Sequence, residues 1–463
     1  MAQLISPVVA VSRSGNIALY PALAAGIDGR LGLAWYEYSS PYRADRSDVW
    51  FSSLKRSTAE WTPPANISAG VSYNNGPALA WSGTHGHWLC AWHSWRPPGA
   101  EPFVVGGDIT NLWSAEISLT GDATPAQQML PGTSNTEYAA LGTLEHGGWG
   151  LLYHDRASAT QCLAFSHVPP FVRGTPLPES FAAGSVADFV AADGTLWLIY
   201  VARNGGRFLT SRRAAGPWAL PRRLDSSSAD ELTRPRISVE RDGTLWIACH
   251  SNTWGRRQAT LRAHVSEAVV VHLEADGTPG NNCWTCNAIT IHGAGFSRTF
   301  SFGPDVFTAR DGVEPVEEAT CLYDAARGHG FDRRPASQLR ELGDELTRGL
   351  FFDYEPAAFR VDVPAGEYEI EVLYSSWIAP TAGTRIRVDG IVPGAPLVQR
   401  QDAIHLMRIS VDGTIEQRVL SENQALDESR PSRVVIDEQG VKHLAWTRYG
   451  PDRIDVVHAS FEW

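Results

Sequence analysis

The chain contains few residues of several types, and each shortage excludes some classes of protein. Cysteine occurs six times and methionine three times in 463 residues, and charged residues make up only 19%. Six cysteines in a chain of this length are too few for a disulfide-rich scaffold. No apolar run reaches the roughly 18 residues of a membrane-spanning helix. The N-terminal sequence lacks a basic segment followed by a long apolar one, so no secretory signal is visible and the compartment is left open.

Basic residues are also in the minority. Lysine and arginine total 39 against 51 acidic residues, which gives a net charge of −12. A nucleic-acid-binding surface would be basic, so this class of partner is not expected. Hydrophobic residues reach 43%, which excludes a disordered chain. The sequence therefore predicts a globular protein without nucleic-acid or membrane partners, and it leaves the oligomeric state open.

Aromatic and turn-forming residues are abundant by contrast. The chain holds 17 tryptophans, 42 glycines and 29 prolines. Many aromatic residues together with many turn formers indicate an all-β protein with frequent turns. Two interpretations of the tryptophans stay open, namely packing between sheets, which is favoured, and stacking on sugar rings.

One pattern recurs along the chain: an apolar strand, a tight turn with glycine, and a second strand of alternating apolar residues. It occupies residues 24–38, 80–95, 142–156, 190–203, 239–252 and 436–449. Each copy predicts two strands joined by a hairpin turn. The spacing of the first five copies matches the ~40–50 residues plus loops of a four-stranded propeller blade.

Candidate third strands can be counted separately, and there are seven. They are residues 48–55, 111–118, 162–169, 207–214, 269–276, 404–411 and 453–460. The sequence therefore predicts a seven-bladed β-propeller over residues 1–280 and 401–463, with blade six interrupted before its third strand. Residues 4–12 are expected to supply the outermost strand of the last blade and to close the ring.

Residues 281–400 interrupt the repeat and predict an inserted domain, and strands shared with blade six are left open. Residues 336–349 have leucines at helical spacing, and residues 359–377 read as a hairpin. The segments FSFGP (300–304), YDAARGHGF (323–331) and FRVDVPAGEYEIEV (359–372) resemble the galactose-binding-like jelly-roll modules of carbohydrate-active enzymes. This resemblance implies a jelly-roll-like β-sandwich that either binds sugar or is structural.

No cofactor motif is visible in the sequence. Within the inserted domain, Asp324, Arg327 and Asp332 suit either a turn or a structural Ca²⁺ ion. The turn is the favoured interpretation. No cofactor is therefore expected, and a structural Ca²⁺ stays the alternative.

Candidate site residues follow from the register of the repeat. A propeller binds its substrate on the axis at one face, where second strands end and first strands begin. One position beyond the last apolar residue of each second strand lie Tyr36, His93, His154, Val201, His250 and Thr447. Two positions further lie Tyr38, Trp95, Arg156, Arg203, Asn252 and Tyr449. The first strands contribute Tyr20, Asn75, Tyr138, Asp188, Arg236 and Arg433.

This face would gather histidine, arginine and tyrosine in an otherwise acidic protein. Arginine binds carboxylates bidentately, so a uronate-containing oligo- or polysaccharide is the predicted partner. β-Elimination from a uronate needs a cation, a base and an acid, which arginine, histidine and tyrosine can supply. The predicted catalytic residues are His93, His154, Tyr153, Arg156 and Tyr38. The predicted substrate-binding residues are Arg203, His250, Asn252, Arg236, Trp95, Tyr449 and Trp254.

Three alternatives remain at this point. Glycoside hydrolysis uses two carboxylates, and Glu37 and Asp155 are available at the same face, although strand alternation can point them away from the axis. A non-catalytic sugar-binding propeller is the second alternative. A purely structural preference of strand ends for histidine and tyrosine is the third.

The repeat also resembles the sugar-processing propellers grouped with sialidases and their BNR repeats, and with seven-bladed polysaccharide lyases. The resemblance implies a carbohydrate-active enzyme, preferably a lyase. Residues 238–246 (SVERDGTLW) match the Asp-box Ser-x-Asp-x-Gly-x-Thr-Trp only in part, and no Arg-Ile-Pro occurs near the N-terminus. These departures disfavour a sialidase. No lyase catalytic residue is carried over.

Overall fold

The structure is a computed structural model of the chain. It describes residues 3–4, 6–13, 17–40, 43–55, 60–68, 74–94, 110–131, 135–145, 147–155, 157–158, 160–178, 183–202, 207–213, 216–224, 232–251, 256–275, 283–293, 295–303, 312–339, 349–375, 384–389, 404–420, 427–429, 431–449 and 454–463. These residues form strands throughout, with one 3₁₀ turn at Glu318–Thr320. The all-β prediction is confirmed. In this part of the chain, no helix is long and apolar enough to cross a membrane.

The chain divides into two compact units. The first comprises Met1–Ser251 and Asp402–Trp463, and the second comprises Asn252–Gln401. The second unit begins earlier than the predicted residue 281. Strands Arg256–Val265 and Ala268–Ala275 pair with strands of the second unit, and this pairing moves the boundary.

Six sheets belong to the first unit within the described residues, and each is one blade. Blade 1 contains Ala18–Ala25 (β3), Leu31–Ser40 (β4), Arg43–Lys55 (β5), Glu60–Trp61 (β6) and Ala65–Asn66 (β7). Blade 2 contains Asn74–Ser82 (β8), His87–Ser94 (β9), Asn111–Ile117 (β10) and Gln127–Gln128 (β11). Blade 3 contains Thr136–Thr143 (β12), Trp149–Asp155 (β13), Thr160–Ser166 (β14) and Thr175–Pro176 (β15).

The remaining three blades follow the same plan. Blade 4 contains Ala183–Ala192 (β16), Thr195–Ala202 (β17), Arg207–Arg213 (β18) and Arg222–Arg223 (β19). Blade 5 contains Leu232–Val239 (β20), Leu245–Ser251 (β21), Ile404–Ile409 (β34) and Ile415–Val419 (β35). Blade 6 contains Asp427–Ser429 (β36), Val435–Ile436 (β37), Lys442–Tyr449 (β38), Ile454–Glu462 (β39), Gln3–Leu4 (β1) and Val9–Ala10 (β2).

The blades are arranged in a ring. First strands lie against one another from β3 through β8, β12 and β16 to β20, and β36 of blade 6 contacts β21 of blade 5. The circle closes where β3 contacts β37 and β38. Six apolar clusters fill the spaces between consecutive blades. Trp35, Trp92, Tyr153 and Trp446 are buried there, which confirms the packing interpretation for these positions.

All six predicted hairpins are present, but the blade count differs from the prediction. Residues 269–276, counted as the third strand of blade five in the predicted seven, form Ala268–Ala275 (β23) in the second unit. The described residues therefore form six blades, and the insertion lies between the second and third strands of blade 5. Alternating apolar residues mark a half-buried strand in any sheet, so the pattern alone could not assign this strand.

The predicted ring closure by the N-terminal segment is confirmed. β1 and β2 both pair antiparallel with β39, with Gln3 opposite Glu462 and Val9 opposite His458. This pairing covers the outer edge of β39, which would otherwise present unpaired backbone groups.

The second unit contains three sheets around one apolar core. The first sheet contains Arg256–Val265 (β22), Gly366–Ser375 (β32), Ala288–Gly293 (β25), Phe296–Gly303 (β26) and Glu314–Glu317 (β27). The second contains His329–Phe331 (β28), Ala357–Asp362 (β31), Ala268–Ala275 (β23) and Thr384–Val388 (β33). The third contains Trp284–Cys286 (β24), Gly349–Asp353 (β30) and Ala336–Leu339 (β29).

Two local predictions in this unit are wrong. Ala336–Leu339 is a strand rather than the start of a helix, because it pairs with β30, and residues 340–348 lie outside the described residues. Ala357–Asp362 and Gly366–Ser375 are strands but not a hairpin, since β31 pairs with β23 whereas β32 pairs with β22 and β25. Pairing partners outweigh local propensity in both cases.

Of the acidic residues considered for a Ca²⁺ ion, Asp324 holds a turn and Asp332 links its segment to the start of β31. One carboxylate oxygen of Asp324 accepts a hydrogen bond from the Ala326 amide at 2.7 Å. Asp332 accepts one from the Ala358 amide at 2.9 Å. The favoured turn interpretation agrees with this geometry.

Candidate functional site

A bulge interrupts the first strand of five blades at the same place. The register shifts between Leu19 and Ala22, Asn75 and Ala78, Glu137 and Ala140, Ala183 and Ala187, and Thr233 and Arg236. A bulge bends its strand and redirects side chains, and bulges are common beside active sites.

The residues at and after these bulges converge on the axis of the ring. They line a cavity that is open on one side, with about 290 Å³ of empty space when the adjoining solvent is included. Its lining consists of Pro21, Ala22, Leu23, Pro77, Ala78, Leu79, Ala140, Leu141, Arg236, Ser432 and Arg433. Four of the five bulged first strands contribute to this lining, together with Ser432 and Arg433 of blade 6.

An ion pair spans the axis beside this cavity. The Arg433 guanidinium of blade 6 pairs with Asp188 of blade 4, with an Nε–Oδ2 distance of 2.9 Å. It also donates to the carbonyl oxygens of Leu141 at 2.6 Å and Phe189 at 3.0 Å. Asp188 is fully buried and accepts a further bond from the Ile237 amide. Asp188 and Arg433 therefore tie the blades together, and Arg433 and Arg236 both line the cavity.

The histidines predicted to share a repeat position do share one. His93, His154 and His250 lie opposite Asn75, Glu137 and Thr233, each the last residue before a bulge. Tyr36 occupies the same position opposite Leu19 in blade 1. Their catalytic and binding roles stay predictions.

His93 and His154 have different surroundings. His93 is only 4% exposed, and its ring packs beneath Gly76, where an added Cβ would lie 3.0 Å from Cε1 of His93. His154 is half-buried, and its Nδ1 lies 3.4 Å from Nε2 of Gln161 on the neighbouring strand. His154 is therefore the more exposed of the two.

Three tyrosines form a cluster in blade 1. The rings of Tyr20 and Tyr36 stack with centroids 5.5 Å apart and planes at 29°. The Tyr38 ring meets Tyr36 edge-on at 5.6 Å. Tyr36 and Tyr38 are buried, whereas Tyr20 is half-buried and next to Pro21 of the cavity lining.

Tyr153, a predicted catalytic acid, does not lie on this face. It is fully buried in the cluster between blades 2 and 3, and its hydroxyl accepts a hydrogen bond from the Gly174 amide at 3.0 Å. Burial raises the pKa of Tyr153 to about 12. Strand alternation turns this side chain into the space between the blades. The geometry gives it a structural role, so it is left out of the proposed site.

The two carboxylates considered for hydrolysis are engaged elsewhere. Glu37 is 1% exposed and accepts hydrogen bonds from Nε1 of Trp35 at 2.8 Å and from Nε of Arg13 at 3.0 Å. Asp155 is 4% exposed and pairs with Nη2 of Arg173 at 2.6 Å. Both anions are therefore held by structural partners.

The side chains of several predicted site residues lie outside the described part of the structure. His250 and Tyr449 are located in β21 and β38 by backbone register alone. Five further predictions lie outside the described residues, namely Trp95, Arg156, Arg203, Asn252 and Trp254. Among the residues with described positions, no group of three or more potential metal ligands is found.

Two buried polar residues were missed by the sequence reasoning. In each blade, one residue of the third strand lies opposite the second-strand position that the histidines share. This third-strand residue is apolar in four blades, namely Val49, Leu112, Ile404 and Val456. It is Gln161 in blade 3 and Arg207 in blade 4. Arg207 is 1% exposed, and its Nη1 lies 3.4 Å from Sγ of Cys249. Alignment of the third strands would have shown both exceptions.

Comparisons with known proteins bear on the fold. No protein-family model and no curated protein matches the chain. A protein of unknown function from Dyadobacter fermentans DSM 18053 is similar over 100% of this chain and 99% of its own, with 11% identity and a TM-score of 0.50. The likeness at this identity is one of fold.

Two matches to solved structures are partial. The Hadza microbial sialidase Hz136 has 15% identity and a TM-score of 0.39, over 53% of this chain and 56% of that chain. The polysaccharide lyase Uly1 has 10% identity and a TM-score of 0.31, over 50% and 55%. This chain spans little more than half the length of each of these two proteins.

Proposed function

We propose that the first unit is a carbohydrate-active enzyme that cleaves a uronate-containing oligo- or polysaccharide at its central face, by β-elimination. One observation carries this proposal. Glu37 and Asp155 are held by structural partners, while Arg236 lines the axial cavity and His154 occupies the repeat position that the histidines share. Elimination uses a cation, a base and an acid, whereas hydrolysis normally uses two available carboxylates.

The proposed roles follow from exposure and position. Arg236 in the cavity neutralises the uronate carboxylate and makes the C5 proton more acidic. Arg156 and Arg203, which the repeat register assigns to the same step, stay proposed partners of that carboxylate. His154 takes the C5 proton. The electrons of the C5–H bond form the C4–C5 double bond as the C4–O bond breaks. The departing oxygen takes its proton from Tyr38 or, because Tyr38 is buried beside Tyr36, from a water molecule in the cavity.

Binding of the anionic chain is assigned to the rim of the same face. His250, Asn252, Trp95, Tyr449 and Trp254 stay proposed binding residues from their positions in the repeat. His93 is a second candidate base, and it ranks after His154 because its side chain is buried. A sugar-binding role of the second unit is likewise a proposal, which rests on the sequence resemblance described above.

The test is a screen of the full chain against pectate, alginate, hyaluronan and ulvan. An ultraviolet absorbance rise from the unsaturated uronate product is expected with one of them. His154→Ala should then lower turnover by a factor of about 100 or more, as loss of a general base does. His167→Ala, at an exposed position on the same blade, is the matched control and should keep full activity.

Other outcomes would replace the proposal. Reducing sugar without the unsaturated product would establish hydrolysis and refute elimination. Retention of the protein in gels that contain a polysaccharide, with no product of either kind, would establish a sugar-binding propeller.

A further inference from the structure

Tyr20 has an unusual backbone conformation for its residue type. Its φ of +55° lies in the left-handed region, which is unfavourable for side chains with a Cβ. The other described non-glycine residues with positive φ are Asp28, Asn135 and Asp193, which are short and polar. Residues of that kind tolerate the conformation by local hydrogen bonding, which an aromatic ring cannot do. Tyr20 is the aromatic exception among the described residues.

The equivalent position in blade 2 shows what the fold itself needs there. Gly76 follows Asn75 as Tyr20 follows Leu19, both precede a proline, and φ of Gly76 is +56°. Glycine adopts this conformation without cost. The bulge therefore forms without an aromatic side chain, and the Tyr20 ring needs an explanation other than the bulge.

The surroundings of Tyr20 suit a binding platform. Its ring rests on Tyr36, which is backed by Tyr38, so its orientation is fixed by a buried aromatic stack. Tyr20 is partly buried, with its ring against the cluster between blades 1 and 2, and the next two residues, Pro21 and Ala22, line the axial cavity. Strained residues held by rigid neighbours are concentrated at ligand sites.

We propose that Tyr20 is a sugar-stacking residue at the rim of the axial cavity. Its ring would pack against the apolar C–H face of one pyranose ring of the bound chain, with Tyr36 as the support beneath it. This inference rests on the proposed function, to which it adds one defined subsite. A flat, preoriented aromatic ring gains contact with a sugar without losing side-chain freedom on binding.

The experiment compares Tyr20→Phe, Tyr20→Leu and Tyr20→Gly in the full chain. Binding is measured by affinity electrophoresis in gels that contain pectate, alginate, hyaluronan, arabinan or galactan. Tyr20→Phe should bind within about twofold of the unchanged protein, because the ring is kept. Tyr20→Leu and Tyr20→Gly should bind about tenfold more weakly, which is the loss of one aromatic contact.

A thermal melt separates binding from packing. Tyr20→Gly relieves the left-handed strain as it removes the ring, so its Tm should stay within about 3 °C of the unchanged protein. Asp193→Gly is the matched control. It relieves the same left-handed backbone conformation in an exposed turn of blade 4, between β16 and β17. It should leave binding unchanged.

The outcomes distinguish this inference from the proposed function. Unchanged binding or unchanged KM in Tyr20→Leu would overturn the stacking role even if elimination is observed. Equal loss in Tyr20→Phe would overturn it as well, since the hydroxyl and not the ring face would then be required. Weakened binding of Tyr20→Leu without any turnover of the unchanged protein would support the subsite and refute the lyase. Failure of every polysaccharide to retain the unchanged protein would overturn both.

Discussion

A buried histidine lies where the ring of the first unit closes. His458 of β39 pairs with Val9 of the N-terminal strand β2, and its Nε2 lies 3.3 Å from Nδ1 of His443. Nε2 of His443 lies 3.4 Å from a carboxylate oxygen of Asp437, and Trp61 packs edge-on against His458. Burial, with a contribution from the neighbouring His443, lowers the pKa of His458 to about 3. We expect this site to make the propeller sensitive to acid.

The sign and size of the effect follow from linkage. In the unfolded chain a histidine has a pKa of about 6.5, so below that pH the unfolded state binds a proton that the folded state does not. Stability contributed by neutral His458 is therefore present above about pH 6.5 and is lost as the pH falls toward about 3. Between about pH 7.5 and about pH 5 this single site removes about 2 kcal/mol from the free energy of unfolding.

The assay is urea unfolding followed by tryptophan fluorescence at both pH values. His458→Gln removes the titrating group, so its free energy of unfolding should change by about 2 kcal/mol less than that of the unchanged protein. His167→Gln, at an exposed position, should keep the full pH dependence. Equal pH dependence of the unchanged protein and His458→Gln would refute the reasoning, because other groups would then carry the acid sensitivity.

Three further changes have defined outcomes. Gln161→Leu keeps the burial of that side chain but removes its contact with His154, so the NMR titration of the His154 ring should shift; an unchanged titration would contradict the positioning role. Arg433→Met leaves Asp188 buried without its cation and should cost about 3–5 kcal/mol in urea unfolding, whereas Asp188→Leu combined with Arg433→Met should cost less; equal costs would show that the pair is not coupled. Trp463→Ala removes an indole that donates a hydrogen bond at 2.8 Å to a carboxylate of blade 5, so the free energy of unfolding should fall by about 1–2 kcal/mol. An unchanged urea midpoint would show that this bond does not stabilise the propeller.

Much of the propeller could be predicted because its signals are local. Alternating apolar residues and tight turns identified all six hairpins, and an apolar segment at the N-terminus identified the closing strand. The blade count failed at β23, whose alternation is that of any half-buried strand. The hairpin expected from residue 359 onward failed for a related reason, since β31 and β32 alternate correctly but pair in different sheets. Sheet membership depends on distant partners that a local pattern does not contain.

The candidate site could be located but not resolved into roles. Repeat register placed His93 and His154 at one structural position, because equivalent positions in a propeller converge on its axis. The roles of Tyr153 and Glu37 depend on which way each side chain turns and what it meets there. Tyr153 turns to a backbone amide and Glu37 to Arg13 and an indole. Such partners come from other strands and are set by packing.

The place of the insertion has a consequence for the order in which the first unit can form during synthesis. Blades 1 to 4 are each contiguous in sequence, so each can pair its strands soon after it leaves the ribosome. Blade 5 cannot, because β21 ends at Ser251 and its partner β34 begins at Ile404, after the whole second unit. The N-terminal strands wait longest, since their partner β39 follows every other strand of the first unit in sequence. A ring that starts early and closes only with β39 leaves the edge of β21 without its partner strand while the second unit is translated. This is the interval in which nascent-chain chaperones would have the most to protect.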